Sequence, residues 1–440
     1  MVQLSGAGQS GTCNLLSLAW VSNMIDPLTL QELDSGQMIR LFTFPPALRY
    51  RDFQILWLSS LINSIGFMGE MVVLGWVLLE LTDSPFMVGV GLGVRSLPNL
   101  LFGVLAGAVA DRVDRRKLMI VLGLALAGVA GILSLIIISD LLTFWHLFIG
   151  SFVVGCLSAL FQTSRQSYIY DIVGAMHLVS GIAFISLGMR VGAFGGSLAI
   201  GLLLDNFGAG SCYALISASY LLSSLCLTIA QEQQERAPSL GMSVWNNIVE
   251  FTQEVRRNHT LLALVVLTSA VEILGFSHMV LLPSLARDVF QVGSDGLGVM
   301  NATRALGGII AVLTLISFGD RPRKGLTYMI VLILFGGGLM LLGNVSIFII
   351  ALIAIMLISG MMTLSDVLSQ SMIQITVPNE LRGRAMGSWV FAVGTAPLGQ
   401  LQVGGLASAL GVAFALTTNG VLLAVLAVGC LAFLPRLRRL

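Results

Sequence analysis

The chain has 440 residues, of which 56% are hydrophobic and 10% are charged, and its formal net charge is +1. A soluble domain carries about 25% charged residues. Because so few charges cannot cover a water-exposed surface, we expect most of the chain to lie in a bilayer. The near-neutral charge gives no indication of a nucleic-acid partner. The five cysteines are scattered without a CxxC motif, and we interpret them as small packing residues.

Twelve apolar stretches reach the length of roughly 20 residues that a membrane-spanning helix needs. In chain order they cover residues 53–81, 86–110, 118–138, 144–165, 178–204, 208–230, 260–284, 296–318, 325–343, 346–368, 385–408 and 410–434. Helices are predicted because a spanning segment must satisfy its own backbone hydrogen bonds, and these runs are continuously apolar rather than alternating. The fold class predicted is therefore all-α integral membrane protein with twelve transmembrane helices.

Basic residues lie almost entirely on one side of this arrangement. Nineteen of the 23 Lys and Arg residues fall near the termini or in the links after even-numbered spans, with Arg165 assigned to the link after span four. The opposite links hold Arg287 alone. Because Lys and Arg favour cytoplasmic links, both termini are predicted to be cytoplasmic.

The same pattern divides the chain into five parts. They are a cytoplasmic leader (1–50), an N-terminal six-helix half (51–230), a cytoplasmic linker (231–259), a C-terminal six-helix half (260–434) and a cytoplasmic tail (435–440). In the linker, Val244, Ile248 and Val255 recur at helical spacing. This spacing predicts an amphipathic helix on the inner membrane surface.

The two halves resemble each other. At an offset of 209 residues, Arg95 falls on Arg304, and Glu272 falls on Asn63. At the same offset Ile65-Gly66-Phe67 falls on Leu274-Gly275-Phe276, and Asp111-Arg112 falls on Asp320-Arg321. Six spans separate the copies, so both halves cross the membrane in the same direction. This predicts two pseudo-symmetric halves about an axis along the membrane normal.

One motif follows the second span: Gly107-x-x-x-Asp111-Arg112-x-Asp114-Arg115-Arg116. It resembles the signature G-x-x-x-D-R-x-G-R-[RK] of the major facilitator superfamily, with Asp114 in place of glycine. The resemblance covers about residues 50–434. It implies the major facilitator fold, alternating access, and a latch role for this loop, in which Asp111 accepts from helix N-terminal amides. The second copy, at Asp320 and Arg321, is degenerate.

Two further stretches resemble the enterobactin-exporter-like branch of that superfamily. They are Arg95-Ser96-Leu97-Pro98 leading to Leu105-Ala106-Gly107, and Val377-Pro378-Asn379-Glu380-Leu381-Arg382-Gly383-Arg384. This resemblance implies export of a small hydrophobic or amphipathic compound, a drug or a siderophore, against protons across a bacterial inner membrane. Helix five departs from the antiporter pattern, since Gly192-Ala193-Phe194-Gly195-Gly196 lacks the proline. A lipid or lysophospholipid flippase of the same fold and a non-transporting scaffold or sensor stay open as alternatives.

Ionisable residues inside predicted spans are candidate functional residues, because a charge at bilayer depth costs several kcal/mol unless it is paired or faces water. Glu70, Glu272 and Arg190 are assigned to the central cavity, with one of the two glutamates as the proton carrier. Arg95 and Arg304 are assigned to gating or structure, one in each half. The alternative for each is a static ion pair.

Enzyme chemistry is not predicted. The chain lacks HExxH, GxSxG and GxxxxGK[ST] motifs, and its four histidines are too few for a metal cage. We therefore expect no metal and no cofactor, and transport driven by a gradient rather than by ATP. The expected partners are a small-molecule substrate, protons and the lipid bilayer, and the protein is expected to be a monomer.

Overall fold

The computed structural model describes residues 46–110, 113–231, 258–318, 324–377, 382–433 and 437. The regular structure in these ranges is helical. The main helices are α1 (Arg51–Thr82), α2 (Pro85–Ala110), α3 (Arg115–Ile138), α4 (Phe144–Thr228), α5 (His259–Leu274), α6 (Gly293–Phe318), α7 (Lys324–Asn344), α8 (Phe348–Ile375), α9 (Arg382–Val393), α10 (Ala396–Leu410) and α11 (Val412–Phe433). A 3-10 turn, Pro46–Arg49, precedes α1.

Helix α4 is interrupted twice by glycine. Gly174 (φ 66°, ψ 177°) and Gly208 (φ 75°, ψ 175°) adopt backbone conformations that only glycine reaches at low cost. We name the resulting segments α4a (residues 144–173), α4b (175–207) and α4c (209–228). Each segment is long enough to cross most of a bilayer, so helix α4 contains three spans.

Nine stretches of the described chain are long and apolar enough to span a membrane. One of them, Ser180–Thr228, contains the break at Gly208 and therefore holds two segments. Helix α2 and the α9–α10 pair supply two more. The helical segments in the described residues thus number twelve, in agreement with the sequence prediction.

The predicted end of span four was wrong. Helix α4a continues to Gly174, and Arg165, which we had assigned to the following link, is 4% exposed inside it. A basic residue after an apolar run is typical of the end of a membrane-spanning helix, but here the backbone leaves the helical conformation only at Gly174. Arg165 therefore does not contribute to the orientation argument, which rests on the other basic residues.

Three other boundaries also differ from prediction. After α5, span seven continues as a 3-10 helix (Phe276–Leu281), a single helical turn and a π-helix (Leu285–Val289). Span eleven is broken between α9 and α10, where Pro397 stands in the first turn of α10 and lacks a backbone N–H to donate. Helix α8 ends at Ile375 and not at residue 368, the predicted end of span ten, so Asp366 lies more than two turns inside it.

Glycines at four-residue spacing bring α4b against α1. A Cβ atom at Gly188 would lie 2.6 Å from the Trp57 indole nitrogen, and one at Gly196 would lie 2.9 Å from the Cα of Ile65. Gly192, between them, lies against the backbone of Leu61. The small-xxx-small pattern permits this close approach, because dispersion contacts rather than hydrophobicity hold helices together in lipid.

The two halves meet through glycines as well. A Cβ atom at Gly201 of α4b would lie 2.9 Å from the Cα of Gly298 in α6, and one at Gly404 of α10 would lie 2.8 Å from the carbonyl oxygen of Pro85 in α2. Both contacts lie toward the membrane side that carries the turns at residues 83–84, 205–208 and 411, which we call the short-link side. The halves are therefore in contact on that side.

Candidate functional site

In the first half, two of the predicted charged residues contact each other. Glu70 of α1 is 2% exposed and Arg95 of α2 is 6% exposed. The Nε of Arg95 donates to the carboxylate of Glu70, and its guanidinium carbon lies 4.4 Å from the centroid of the Phe67 ring. Each charge offsets much of the burial cost of the other. A proton-carrier candidate and a gating candidate thus form one buried ion pair.

In the second half, the corresponding arginine has a different partner. Arg304 of α6 donates from Nη1 to the amide oxygen of Asn301 at 2.8 Å. Among the residues that the structure describes, no carboxylate lies within ion-pair distance of its guanidinium. Glu272 of α5 is buried, with 4% of its surface exposed.

Arg190 reaches from the first half into the second. Its Nη2 donates to the hydroxyl of Thr363 in α8 at 3.3 Å, and its guanidinium lies beside Gly308 of α6, where a side chain would clash with it. Its charge acts on Asp366 in α8 and on Arg304 in α6. This side chain connects α4b with two helices of the other half near mid-membrane.

Asp366 is a residue of the site that sequence reasoning did not assign to it. Its charge acts on Glu272 as well as on Arg190, so two acids and two arginines lie near one another at the boundary between the halves. The sequence contains the feature that would have identified it, since Asp366 is an acidic residue in an apolar stretch. It was missed because the predicted span ended at residue 368.

A small cavity lies between the halves, beside this cluster and toward the short-link side. Helices α1 and α2 line it from the first half, and the irregular part of span seven and α6 line it from the second. Its charged and amide groups are those of Arg304 and Asn301, and its walls include Met71, Leu92 and Met279.

The basic residues of the signature loop tie helices of the first half together. Arg115 forms an ion pair with Asp171 in α4a, with 2.5 Å between Nη1 and Oδ1. Arg116 donates to the carbonyl oxygens of Leu227 and Thr228, at 2.9 and 2.5 Å, where α4c ends. A cation at this point also interacts favourably with the negative end of the helix dipole.

Asp114, the departure from the family signature, begins α3. Its side chain accepts a hydrogen bond from the backbone N–H of Lys117 at 3.0 Å, which is N-cap geometry. Other assigned residues lie outside the described part of the chain, namely Asp111, Arg112, Asp320 and Arg321 together with almost all of the linker 231–259. The backbones of Gly107, Arg382 and Arg384 are helical, and their side chains lie outside the description.

On the short-link side, Arg287 joins the two halves. It lies in the π-helix at the end of span seven, and its Nη2 lies 2.5 Å from the carboxylate of Asp83 in the turn between α1 and α2. Its Nη1 donates to the carbonyl oxygen of Leu79 at 3.1 Å. The basic residue that stood alone on this side of the sequence pattern is therefore a contact between halves.

Comparison with characterised proteins agrees with this architecture. A family model described as "Transmembrane secretion effector" matches residues 43–439. The staphyloferrin A transporter of Staphylococcus aureus is 25% identical over 83% of this chain and 90% of its own length. The enterobactin exporter EntS of Shigella flexneri is 26% identical over 84% of this chain and 90% of its own length.

Solved structures show the same fold at low sequence identity. The nucleoside transporter NupG superposes with a TM-score of 0.69 at 14% identity, covering 87% of this chain and 98% of that one. A POT family transporter superposes with a TM-score of 0.73 at 13% identity, covering 88% of this chain and 96% of that one. With the family match spanning nearly the whole sequence, the chain belongs to the transmembrane secretion effector family of the major facilitator superfamily and is a multi-pass membrane transporter.

Proposed function

We propose that the protein is a secondary active transporter that exports a small amphipathic compound, drug-like or siderophore-like, by proton antiport and alternating access. The observation that carries the proposal is the hydrogen bond from Arg190 in one half to Thr363 in the other. Asp366, on the same helix as Thr363, lies near enough for its charge to act on both Arg190 and Glu272. Charges at this depth are costly, and a boundary that must open and close accounts for them. The relatives named for staphyloferrin A and enterobactin support the cargo class.

We assign the orientation from the basic residues, with both termini in the cytoplasm and the protein in the bacterial inner membrane. In this orientation the short-link side faces outward, so the conformation described is closed on the outer side. Arg95 and the signature loop then belong to the helices that move between conformations, and Arg304 moves with α6 while facing the cavity. The loop residues Arg115 and Arg116 act within the first half, where their contacts keep its helices together as one body.

Of the two candidate proton carriers, Glu272 fits the role better than Glu70. Glu70 is already engaged in an ion pair with Arg95 inside the first half, away from the boundary between the halves. Glu272 is buried at the boundary between halves, with the charge of Asp366 acting on it. Gain or loss of one proton there changes the electrostatic balance across the moving boundary.

Purified protein in proteoliposomes with an imposed pH gradient tests this function. The cargo panel holds lipophilic dyes, drugs and a catechol siderophore. We expect proton-driven movement of at least one cargo, abolished by Glu272→Gln and retained in Glu80→Gln. Glu80 is the matched control, because it is an exposed glutamate on α1 that accepts a hydrogen bond from Trp76 and does not line the cavity.

Two outcomes would overturn the proposal. A labelled lysophospholipid is added to the panel for this purpose. Its movement without a pH gradient, and movement of no other cargo, would identify a lipid flippase. Folded protein that moves none of the compounds under any gradient would identify a scaffold or sensor. Proton-driven transport that survives Glu272→Gln and is lost in Glu70→Gln would transfer the carrier role to Glu70.

A further inference from the structure

The internal repeat is asymmetric at one functional position. The offset of 209 residues that places Arg95 on Arg304 also places Glu70 on Met279. In the first half the arginine is paired with the glutamate, and both side chains are buried. In the second half a thioether stands where the carboxylate would be. The second copy of the pair therefore keeps the cation and lacks the anion.

The remaining contacts of Arg304 do not replace that anion. Its side-chain hydrogen bond goes to the neutral amide of Asn301, and the charge of another cation, Arg190, acts on it. Within the described part of the chain, no carboxylate forms an ion pair with it. Arg190 in turn is influenced by Asp366. Of the two acids in this cluster, Asp366 acts on Arg190, and Glu272 is not within ion-pair distance of Arg304. The positive charge of Arg304 is therefore left for another partner.

Arg304 faces the cavity between the halves, so a partner for its charge would bind in that cavity. Its side chain and that of Asn301 line the cavity between the halves, opposite apolar side chains of α1 and α2. Met279 lines the same cavity, so the missing carboxylate would have pointed into it. Leucine and methionine walls suit an apolar body of variable shape, and the methionines adapt without a strict geometry.

We infer that this cavity binds the acidic group of an amphipathic substrate, with Arg304 as the residue that recognises the anion. A guanidinium presents paired donors to a carboxylate and is the side chain of choice for a bidentate contact in a poorly hydrated site. Asn301 orients the guanidinium, and the apolar body of the substrate lies against the walls from α1 and α2. The inference rests on the proposed transport function and names the substrate class for that site.

The alignment supplies a sharp test, because the missing partner can be restored. The probe is 11-(dansylamino)undecanoic acid, compared with its uncharged methyl ester, and binding is followed by dansyl fluorescence on full-length protein in nanodiscs. We expect the acid to bind about tenfold or more tightly than the ester, the size expected for one charged hydrogen-bonded contact. Met279→Glu is expected to remove this difference by pairing with Arg304, as Glu70 pairs with Arg95.

Matched variants separate charge from packing. Met279→Leu keeps the wall apolar and is expected to keep the preference for the acid. Arg304→Gln is expected to remove the preference, and Arg304→Lys to retain part of it. Binding is measured only on variants that elute from size-exclusion chromatography at the same volume as the native protein, so that misfolded protein is excluded. Equal binding of acid and ester by the native protein, or a preference that survives both Met279→Glu and Arg304→Gln, would overturn the inference.

The same panel distinguishes this inference from the proposed function. Glu272→Gln is expected to lose proton-driven transport and to keep the preference for the acid in the binding assay. A protein that binds the acid through Arg304 and moves no cargo would refute transport and leave the anion site standing. A protein that transports with no dependence of binding on Arg304 or on residue 279 would refute the anion site alone.

Discussion

The Nη2 atom of Arg287 lies 2.5 Å from Oδ1 of Asp83, across the boundary between the two halves. The same guanidinium donates to the carbonyl oxygen of Leu79, in the last turn of α1, where the helix dipole favours a cation. Asp288, the next residue in the chain, holds the guanidinium from its own half at 2.6 Å. The arrangement favours the conformation in which the short-link side is closed.

Loss of this contact is expected to weaken that closed conformation. Asp83→Asn removes the charge and keeps a residue that tolerates the left-handed backbone (φ 51°) found there. The Asp83 side chain is 83% exposed, so the effect should be modest, about fivefold or less in population, since exposed ion pairs contribute about 0.2–1 kcal/mol. The measurement is the rate of disulfide formation between Ser84→Cys and Ser408→Cys, whose hydroxyl oxygens are 3.4 Å apart, in a background without native cysteines.

Asp288→Asn is the control for this experiment. It removes an acidic partner of Arg287 that lies in the same half, so it leaves the link between the halves in place. Cross-linking should therefore slow in Asp83→Asn and change little in Asp288→Asn. Identical rates in both variants would show that the ion pair does not influence closure.

Gly201 and Gly298 approach closely between the halves. A larger side chain at either position should therefore weaken closure of the short-link side more than loss of the Asp83 charge does. A side chain at position 201 would lie 2.9 Å from the Cα atom of Gly298, where backbone cannot give way without separating α4b from α6. We expect Gly201→Val to reduce cross-linking between the cysteines at 84 and 408 several-fold and to lower transport. Gly195→Val is the matched control, because the same helix has open space at that position. Normal cross-linking in Gly201→Val would contradict the closure described here.

Glu70 and Arg95 predict a stability effect. Glu70→Gln leaves a buried guanidinium without its anion, and such a change costs about 3–5 kcal/mol. The double variant Glu70→Gln, Arg95→Gln should recover part of this loss, because no buried charge is left unpaired. Thermal unfolding of the native protein, Glu70→Gln, Arg95→Gln and the double variant in one detergent measures the effect. Unchanged stability of Glu70→Gln would mean that the pair does not hold the first half together.

Asp114 predicts a smaller effect at the start of α3. Its side chain accepts from the Lys117 backbone, so Asp114→Ala is expected to lower stability by about 1 kcal/mol. Asp114→Gly restores the residue usual in the superfamily signature. It should lower stability by only about 0.3 kcal/mol, because glycine is itself an acceptable N-cap residue. The thermal unfolding midpoint reports both. A greater loss for glycine than for alanine would exclude the capping role.

Span number and repeat order followed from the sequence because both depend on local composition. A helix in lipid needs a fixed length of apolar residues, and this length can be counted along the chain. Helix ends were less predictable. Span four was ended at Arg165 and span ten at residue 368, whereas the helices end at Gly174 and Ile375.

The sequence by itself determined the membrane class, the superfamily and the set of charged residues inside the spans, since each of these is a property of residue types at given spacings. Only the tertiary structure decided which charges meet. Arg95 is neutralised by Glu70 within one half, and Arg190 crosses to Thr363 in the other. Among the residues that the structure describes, the Arg304 guanidinium donates to Asn301 and has no acidic partner. Arg95 and Glu70 are 25 residues apart in the chain, and Arg190 and Thr363 are 173 residues apart. Whether such distant residues meet depends on how the helices pack and not on any local sequence pattern.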